Sequence, residues 1–129
     1  MRRLATVGCA AALLAGCGGE AGDVLAIEVS GAPGGGDHTL VVSEDGRARC
    51  DGGELEAIES AQLIEARDVA RELEELDEAE LRLPAAGGRA YVARVPDATA
   101  RWSERSPGKP EALARAELLA LELGRALCP

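Results

Sequence analysis

Apolar and polar side chains alternate in the first half of the chain, which is typical of half-buried β-strands. Leu25, Ile27 and Val29 fall on one face of a segment whose other side chains are mostly small or polar. Two further short segments follow, and Asp45-Gly46 between them is a strong signal for a hairpin turn. The pattern predicts three antiparallel strands, at residues 24–30, 39–43 and 47–50.

Two later segments have the three- to four-residue apolar period of an amphipathic helix. The first starts at Ser60, a predicted N-cap, and ends between Leu76 and Glu80. The second starts at Pro110, the predicted first helical residue, and ends at Cys128. Their apolar faces comprise Leu63, Ala66, Ala70 and Leu73, and then Leu113, Ala116, Leu119, Ala120, Leu123 and Leu127; Glu65 and Arg115 are on the opposite, charged faces.

A second hairpin is predicted between the two helices, with strands at 91–95 and 100–103 and a turn at 96–99. In this register Tyr91 lies diagonal to Trp102 on one sheet face. These are the only two aromatic residues of the chain. They are a candidate interaction patch, and burial as the largest core side chains is the competing and favoured interpretation.

The element order is therefore β-β-β-α-β-β-α. Strands joined by short turns favour an antiparallel sheet, and two amphipathic helices need a common apolar surface. We expect a two-layer α+β domain at residues 24–129, with a five-stranded antiparallel sheet and both helices on one face.

Composition narrows the class of protein. The chain has 129 residues, 47% of them hydrophobic, no Phe and a net charge of −9. This length and composition fit one domain with a mostly aliphatic core. The acidity argues against nucleic acid as a partner and against electrostatic attraction to anionic lipid. No pattern in the sequence indicates a cofactor.

The N-terminus has the three-part layout of an export signal. Arg2-Arg3 precedes an apolar run from Leu4 to Leu14, which has about half of the ~20 residues that a membrane-spanning helix needs. Small residues and a cysteine follow at Ala15-Gly16-Cys17. A removable signal at residues 1–16 is the prediction.

The sequence Leu14-Ala15-Gly16-Cys17 resembles the lipobox of bacterial lipoproteins, and the whole chain looks like a small uncharacterised actinobacterial lipoprotein. The resemblance implies that the Cys17 sulfur receives a diacylglyceryl group and that cleavage leaves Cys17 as the first residue. It also implies a lipid-anchored protein on the extracytoplasmic side of the cell membrane. Residues 17–23 then form a flexible tether. An ordinary secretory signal is the alternative.

Two cysteines, Cys50 and Cys128, remain once Cys9 and Cys17 are set aside. An exported chain meets an oxidising compartment, so we expect one disulfide between them. Such a long loop gives a chain-entropy stabilisation of about 4 to 5 kcal/mol. A metal site is disfavoured, since the chain has one His and no CxxC spacing.

No nucleophile and base pair emerges from the sequence. His38, beside Asp37, has no third partner in the sequence and is expected to be a solvated loop residue. A pocket that joins His38 to two or more carboxylates would favour an enzyme. Without one, the leading hypothesis is a non-enzymatic domain with a structural or binding role.

An alternative comes from a weaker resemblance, to secreted subtilisin inhibitors of the Streptomyces type, which also combine a five-stranded antiparallel sheet with two helices. The resemblance implies a reactive loop, which here is residues 81–88. Those inhibitors brace this loop with a disulfide. No cysteine lies between Cys50 and Cys128 in this chain.

Overall fold

A computed structural model describes residues 22–31, 36–76 and 78–129. The signal segment, the lipobox and Cys17 lie outside the described residues. The described part is an α+β domain with one sheet and two helices. Its elements are β1 (Asp23–Ser30), β2 (His38–Ser43), β3 (Arg47–Cys50), β4 (Glu56–Ala57), α1 (Ser60–Glu74), β5 (Glu80–Arg82), β6 (Ala90–Val95), β7 (Ala98–Ser103) and α2 (Glu111–Leu127).

The sheet differs from the predicted one in size and type. Its strand order is β4-β3-β2-β1-β6-β7-β5, and β5 runs parallel to β7 while every other pair is antiparallel. The prediction of five antiparallel strands was therefore wrong: seven strands form a mixed sheet in the described residues. The two additional strands, β4 and β5, have two and three residues, which is too short to show alternation. β5 also includes the start of the predicted 81–88 loop.

One face of the sheet carries the core. Pairing places Ile27 between Leu40 and Ala93, and Ala93 opposite Ala100, so these side chains form one continuous apolar row across four strands. α1 contacts β1, β6 and β7, whereas α2 contacts β1, β2 and β3. Both helices therefore cover the same face, as predicted. Their apolar faces supply Ala66, Val69, Ala70, Leu73, Leu113, Ala116, Leu119, Ala120 and Leu123 to the core.

The helix boundaries are close to the predicted ones, but the capping residues differ. Glu59 rather than Ser60 is the N-cap of α1, and its backbone N–H donates to the Gln62 side chain at 3.0 Å. α1 ends at Glu74, short of the predicted limit, and Pro110 caps α2 rather than starting it. The first strand begins at Asp23, one residue before the predicted start of the domain.

The β6–β7 hairpin has a tighter turn than predicted. Val95 pairs with Ala98, so Pro96 and Asp97 alone form the turn, and Tyr91 lies directly opposite Trp102. The predicted diagonal placement is therefore wrong by two residues along β7. The shared face is unchanged, because a shift of two residues along a strand keeps a side chain on the same side of the sheet.

Candidate functional site

A cavity of about 430 Å³ opens at the end of the sheet where β1 ends and where β2 and β6 begin. The last two turns of α2 and the C-terminal residues close its other side. Apolar groups, including Val29, Ala120 and Leu121, alternate around it with charged ones. We call this the His38 pocket. Its lining is Val29, Gly36, Asp37, His38, Asp51, Arg89, Tyr91, Ala120, Leu121, Gly124, Arg125, Cys128 and Pro129.

A disulfide holds one wall of the pocket in place. Cys50 at the end of β3 is bonded to Cys128, which caps α2, and the two Cα atoms are 5.5 Å apart. The predicted pairing is thus confirmed. Because Cys128 follows directly after α2, the bond fixes the end of that helix against the end of β3, next to the start of β2 that carries His38.

His38 lies inside the sheet rather than in a solvated loop, as the first residue of β2, and it is half-buried. Its Nδ1 is 2.7 Å from the Gly36 carbonyl oxygen, which can only accept, so Nδ1 is the donor. In the neutral ring Nε2 then carries a lone pair. That atom is buried and has no hydrogen-bond partner among the described residues.

Gly124 provides the space for the imidazole ring. A Cβ built at Gly124 would lie 3.2 Å from His38 Nε2, closer than most real Cβ contacts. Glycine in a helix interior costs about 1 kcal/mol relative to alanine. The position therefore has a packing reason: a Cβ at residue 124 would require the His38 ring to shift by a few tenths of an ångström.

The pocket brings two carboxylates, Asp37 and Asp51, together with His38. This is the constellation that would favour an enzyme, but both carboxylates have structural partners. Asp37 Oδ1 accepts from Gly31 N–H at 3.1 Å, and Asp51 Oδ1 accepts from Thr39 N–H at 2.8 Å. Neither makes a hydrogen bond to the imidazole, and no group of three possible metal ligands occurs in the described part of the chain.

Two guanidinium groups complete the pocket, those of Arg89 and Arg125. Although Asp37 and Asp51 line the same cavity, neither arginine forms an ion pair with a described carboxylate. The cavity is therefore lined by acidic and basic residues that form no ion pair with each other. This arrangement fits a small ligand that carries both an anionic and a cationic group.

Tyr91 and Trp102, the candidate interaction patch, belong to the core. Their rings stack with centroids 5.4 Å apart and planes 14° apart, and the two residues are only 4% and 3% exposed. Trp102 Nε1 donates to Glu117 Oε1 at 2.8 Å, which satisfies the one polar atom of the indole. Burial raises the pKa of the Tyr91 hydroxyl. The pair offers no exposed aromatic surface, and only Tyr91 borders the His38 pocket.

The predicted reactive loop, residues 81–88, is held on β7 by hydrogen bonds. Ser106 Oγ donates to the Pro84 carbonyl at 2.7 Å, and Ser103 Oγ accepts from Ala86 N–H at 2.9 Å. Both serines are buried and lie 3.1 Å apart through their hydroxyl oxygens. Pro84 to Gly88 remain exposed. Hydrogen bonds to Ser103, the last residue of β7, and to Ser106 just after it thus hold this loop.

Sequence reasoning singled out His38 and Asp37 but missed Asp51, Arg89, Gly124 and Arg125. These six residues come from four separate segments, so no spacing in the sequence connects them. One local signal exists: Asp51 precedes Gly52-Gly53 and adopts a positive φ of 51°, which aspartate tolerates better than most residues. Even this signal predicts a turn and not a pocket.

Neither described helix has both the length and the apolar character that a membrane span requires. Comparison of the chain with models of protein families, with curated proteins and with solved structures finds no match.

Proposed function

We propose that this protein is a lipid-anchored domain on the extracytoplasmic side of the cell membrane, with a non-enzymatic binding role centred on the His38 pocket. The lipobox-like sequence at Leu14 to Cys17 supports the anchor. One observation carries the binding role: two carboxylates and two guanidinium groups line one cavity of about 430 Å³ and do not pair with each other. The ligand expected is small and zwitterionic.

The position of the pocket fits an anchored protein. The chain enters the sheet at Gly22, whose carbonyl accepts from Glu44 N–H at 2.9 Å. The pocket lies at the other end of β1, where Val29 pairs with His38 and Ser30 pairs with Ala90. Seven residue steps along a strand span about 24 Å. A lipid attached at Cys17 therefore leaves the pocket open.

Binding is favoured over catalysis because the pocket lacks an arranged proton relay. The imidazole Nδ1 is engaged by a backbone carbonyl, not by a carboxylate that would orient it as a base. The sulfur of Cys128, the thiol-type group nearest the pocket, is in the disulfide. Among the described lining residues no serine, threonine or free thiol accompanies His38, and the one hydroxyl is that of Tyr91, whose pKa burial raises.

The only histidine of the chain gives a direct test of the binding role. The imidazole NMR signals of His38 report on the pocket without ambiguity, and the Trp102 indole signal reports on the fold. Titration with alanyl-alanine up to about 10 mM should shift the imidazole signals, and its acetylated, amidated analogue, which has no charge, should not. Equal shifts with both probes, or no shift with either, would refute the proposed ligand class.

A matched pair of variants localises the effect. Arg89→Gln removes one guanidinium from the pocket and should weaken the alanyl-alanine response about fivefold or more. Arg105→Gln removes the same charge from an exposed position outside the pocket and should leave the response unchanged. Equal weakening by both variants would mean that net charge, not the pocket, is responsible.

The anchor is tested separately. Intact mass of the protein extracted from membranes should correspond to a chain that starts at Cys17 with added acyl mass. Cys17→Ser should release the protein from the membrane fraction, because two or more acyl chains give durable attachment that an acidic domain alone does not. Retention of the Cys17→Ser protein in membranes washed at about 1 M salt, where attraction between charges is screened, would contradict the anchor.

A protease inhibitor acting through residues 81–88 is the second candidate, favoured by the hydrogen bonds that Ser103 and Ser106 make to this loop. A braced, exposed loop is what a rigid inhibitor needs. Titration against subtilisin-type proteases is the test. Inhibition that Ser106→Ala weakens would support it, whereas absence of inhibition at micromolar protein would remove it.

A further inference from the structure

The face of the sheet opposite the helices carries a cluster of arginines that the net charge of the chain conceals. Two rows of paired residues cross this face. We call it the arginine face. One row is Thr39, Glu28, Val92, Arg101 and Arg82, and the other is Arg49, Val41, Ala26, Arg94, Thr99 and Glu80.

Basic residues dominate the arginine face although the chain as a whole carries 23 acidic and 14 basic residues. Arg47 lies on the same side as Arg49, so the strands of this face hold five arginines and two glutamates, Glu28 and Glu80, and Asp45 beside Arg47 adds a third acidic group. The sign of the local charge is therefore opposite to that of the molecule. Both helices pack on the other side of the sheet, and the short apolar side chains of Val41 and Val92 remain half-buried between the arginines.

Three of these arginines have no ionic partner among the described residues. Arg94 pairs with Glu28 at 2.7 Å and Arg47 pairs with Asp45 at 2.6 Å. Arg49, Arg82 and Arg101 form no such pair. An anionic surface can therefore approach these three without first breaking an ion pair.

Two of the three stand next to each other. Arg82 on β5 is directly paired with Arg101 on β7, and like charges in such positions repel. Arg101 Nε is also buried without a hydrogen-bond partner in the described chain. Both side chains line a shallow groove of about 520 Å³ with Val92 and Leu83. Anionic groups placed here would relieve the repulsion between the two guanidinium groups.

The chain length between the lipidation site and the sheet brings an anionic surface within reach. Five residue steps separate Cys17 from Gly22, a maximum of about 18 Å. Gly22 leads into β1, the central strand of the described sheet. Acidic side chains on the outer surface of the helices are separated from the arginine face by the helix layer, which is about 10 Å thick. This distance exceeds the screening length of about 8 Å at physiological salt, so their repulsion of an anionic membrane surface is reduced.

We infer that the arginine face lies against the anionic headgroups of the membrane that holds the anchor, so that the domain rests on the bilayer through its open sheet. This inference rests on the proposed lipid anchor. It replaces the expectation, drawn from net charge, that the domain is held away from lipid. The His38 pocket, at one end of the strands, then opens along the membrane surface and stays accessible.

The test uses a chain of residues 17–129 with Cys17→Ser, which contains every described element and cannot be acylated. Co-sedimentation with vesicles of phosphatidylglycerol and phosphatidylcholine in equal parts should show binding at low salt. The binding should fall steeply towards about 150 mM salt and be absent on phosphatidylcholine alone. Because no acyl chain is present, the result is independent of whether the anchor exists.

Two triple variants with the same change in net charge separate the face from the overall charge. Arg49→Gln with Arg82→Gln and Arg101→Gln should weaken vesicle binding about tenfold or more. The control variant changes Arg67, Arg71 and Arg105 to Gln and should stay within about twofold of the parent. Circular dichroism and thermal melting establish that both variants are folded.

Three outcomes would overturn the inference. They are absence of binding to the anionic vesicles at low salt, equal weakening by the two triple variants, and a salt-sensitive dimer in light scattering that only the arginine-face variant abolishes. The last outcome would assign the face to a second copy of the chain. Failure of the anchor, in contrast, would appear in the intact mass and in the Cys17→Ser fractionation after a high-salt wash, and not in the vesicle assay.

Discussion

Arg115 joins the two helices, and its removal should produce a measurable loss of stability. From α2 its guanidinium makes two hydrogen bonds to Glu65, at 2.7 and 2.8 Å, and one to Glu72 at 2.9 Å. Asp68 lies 3.7 Å away. Arg115→Ala removes these contacts and leaves three carboxylates of α1 facing an uncharged surface.

The magnitude follows from the number of contacts and their exposure. The Arg115 and Glu65 side chains are 26% and 36% exposed, so solvent screens the pair only in part. Exposed ion pairs contribute about 0.2 to 1 kcal/mol, and hydrogen bonds to charged groups contribute more when they are buried. We expect Arg115→Ala to lower the free energy of unfolding by about 1.5 kcal/mol. Urea denaturation at neutral pH measures this change.

A pH series gives the reasoning a second test. The hydrogen bonds from Arg115 lower the pKa of the Glu65 carboxyl in the folded state. The pair therefore stabilises the protein fully above the unfolded pKa of glutamate, about 4.3, and the stabilisation is lost as the pH falls through the lower folded value. The cost of Arg115→Ala should be constant from about pH 7 to about pH 5 and shrink towards about pH 3.

Arg71→Ala is the control, because Arg71 forms one exposed pair with Asp68 at 3.0 Å on the same helix. Its cost should be about 0.5 kcal/mol or less. Equal losses of stability in the two variants would contradict the contribution assigned to Arg115, as would a loss in Arg115→Ala that does not change between neutral and acidic pH.

Three other predictions follow from the described contacts. Reduction of the disulfide, or the double change Cys50→Ser and Cys128→Ser, should lower the free energy of unfolding by about 4 kcal/mol, since the bond closes a loop with a sequence separation of 78; an unchanged melting midpoint under reducing conditions would contradict it. Gly88→Ala should cost at least about 1 kcal/mol more than Gly108→Ala in urea denaturation. Both glycines have positive φ, but a Cβ at Gly88 would lie 2.7 Å from the Cβ of Glu104, whereas a Cβ at Gly108 meets no atom within 4 Å. Equal losses of stability would show that Glu104 moves aside without a measurable cost. Ultraviolet titration of Tyr91, the only tyrosine, should give tyrosinate above its ordinary pH range, because burial raises its pKa; a midpoint at the ordinary value would show that solvent reaches the hydroxyl.

The elements that sequence patterns predicted well are those whose side chains repeat over several periods. The apolar face of α2, from Leu113 to Leu123, is buried as its period predicts. β1 shows the expected burial of Leu25, Ile27 and Val29. The two strands that were missed, β4 and β5, are too short to show an alternation of apolar and polar side chains. They form because the backbone N–H and C=O groups of the neighbouring strand need hydrogen-bond partners.

Arg115 illustrates a second limit of sequence patterns. A helical wheel places this residue opposite the apolar face of α2, which predicts contact with solvent. In the fold α1 lies alongside α2 and presents Glu65 and Glu72 to it. A helical wheel describes one helix by itself. It gives no information on the neighbouring helix, which determines the environment of a residue such as Arg115 at the border of the apolar face.

The amino-acid sequence by itself determined the fold class, the two helices, the longer strands and the Cys50–Cys128 bond, because periodicity and cysteine pairing are local or countable properties. Only the tertiary structure decided which charges meet. Strand register placed five arginines on one side of the sheet, and chain packing brought His38, Asp51 and Arg125 to one cavity. Charge is read from a sequence as a sum, whereas its effect depends on distance, and distance is set by the fold.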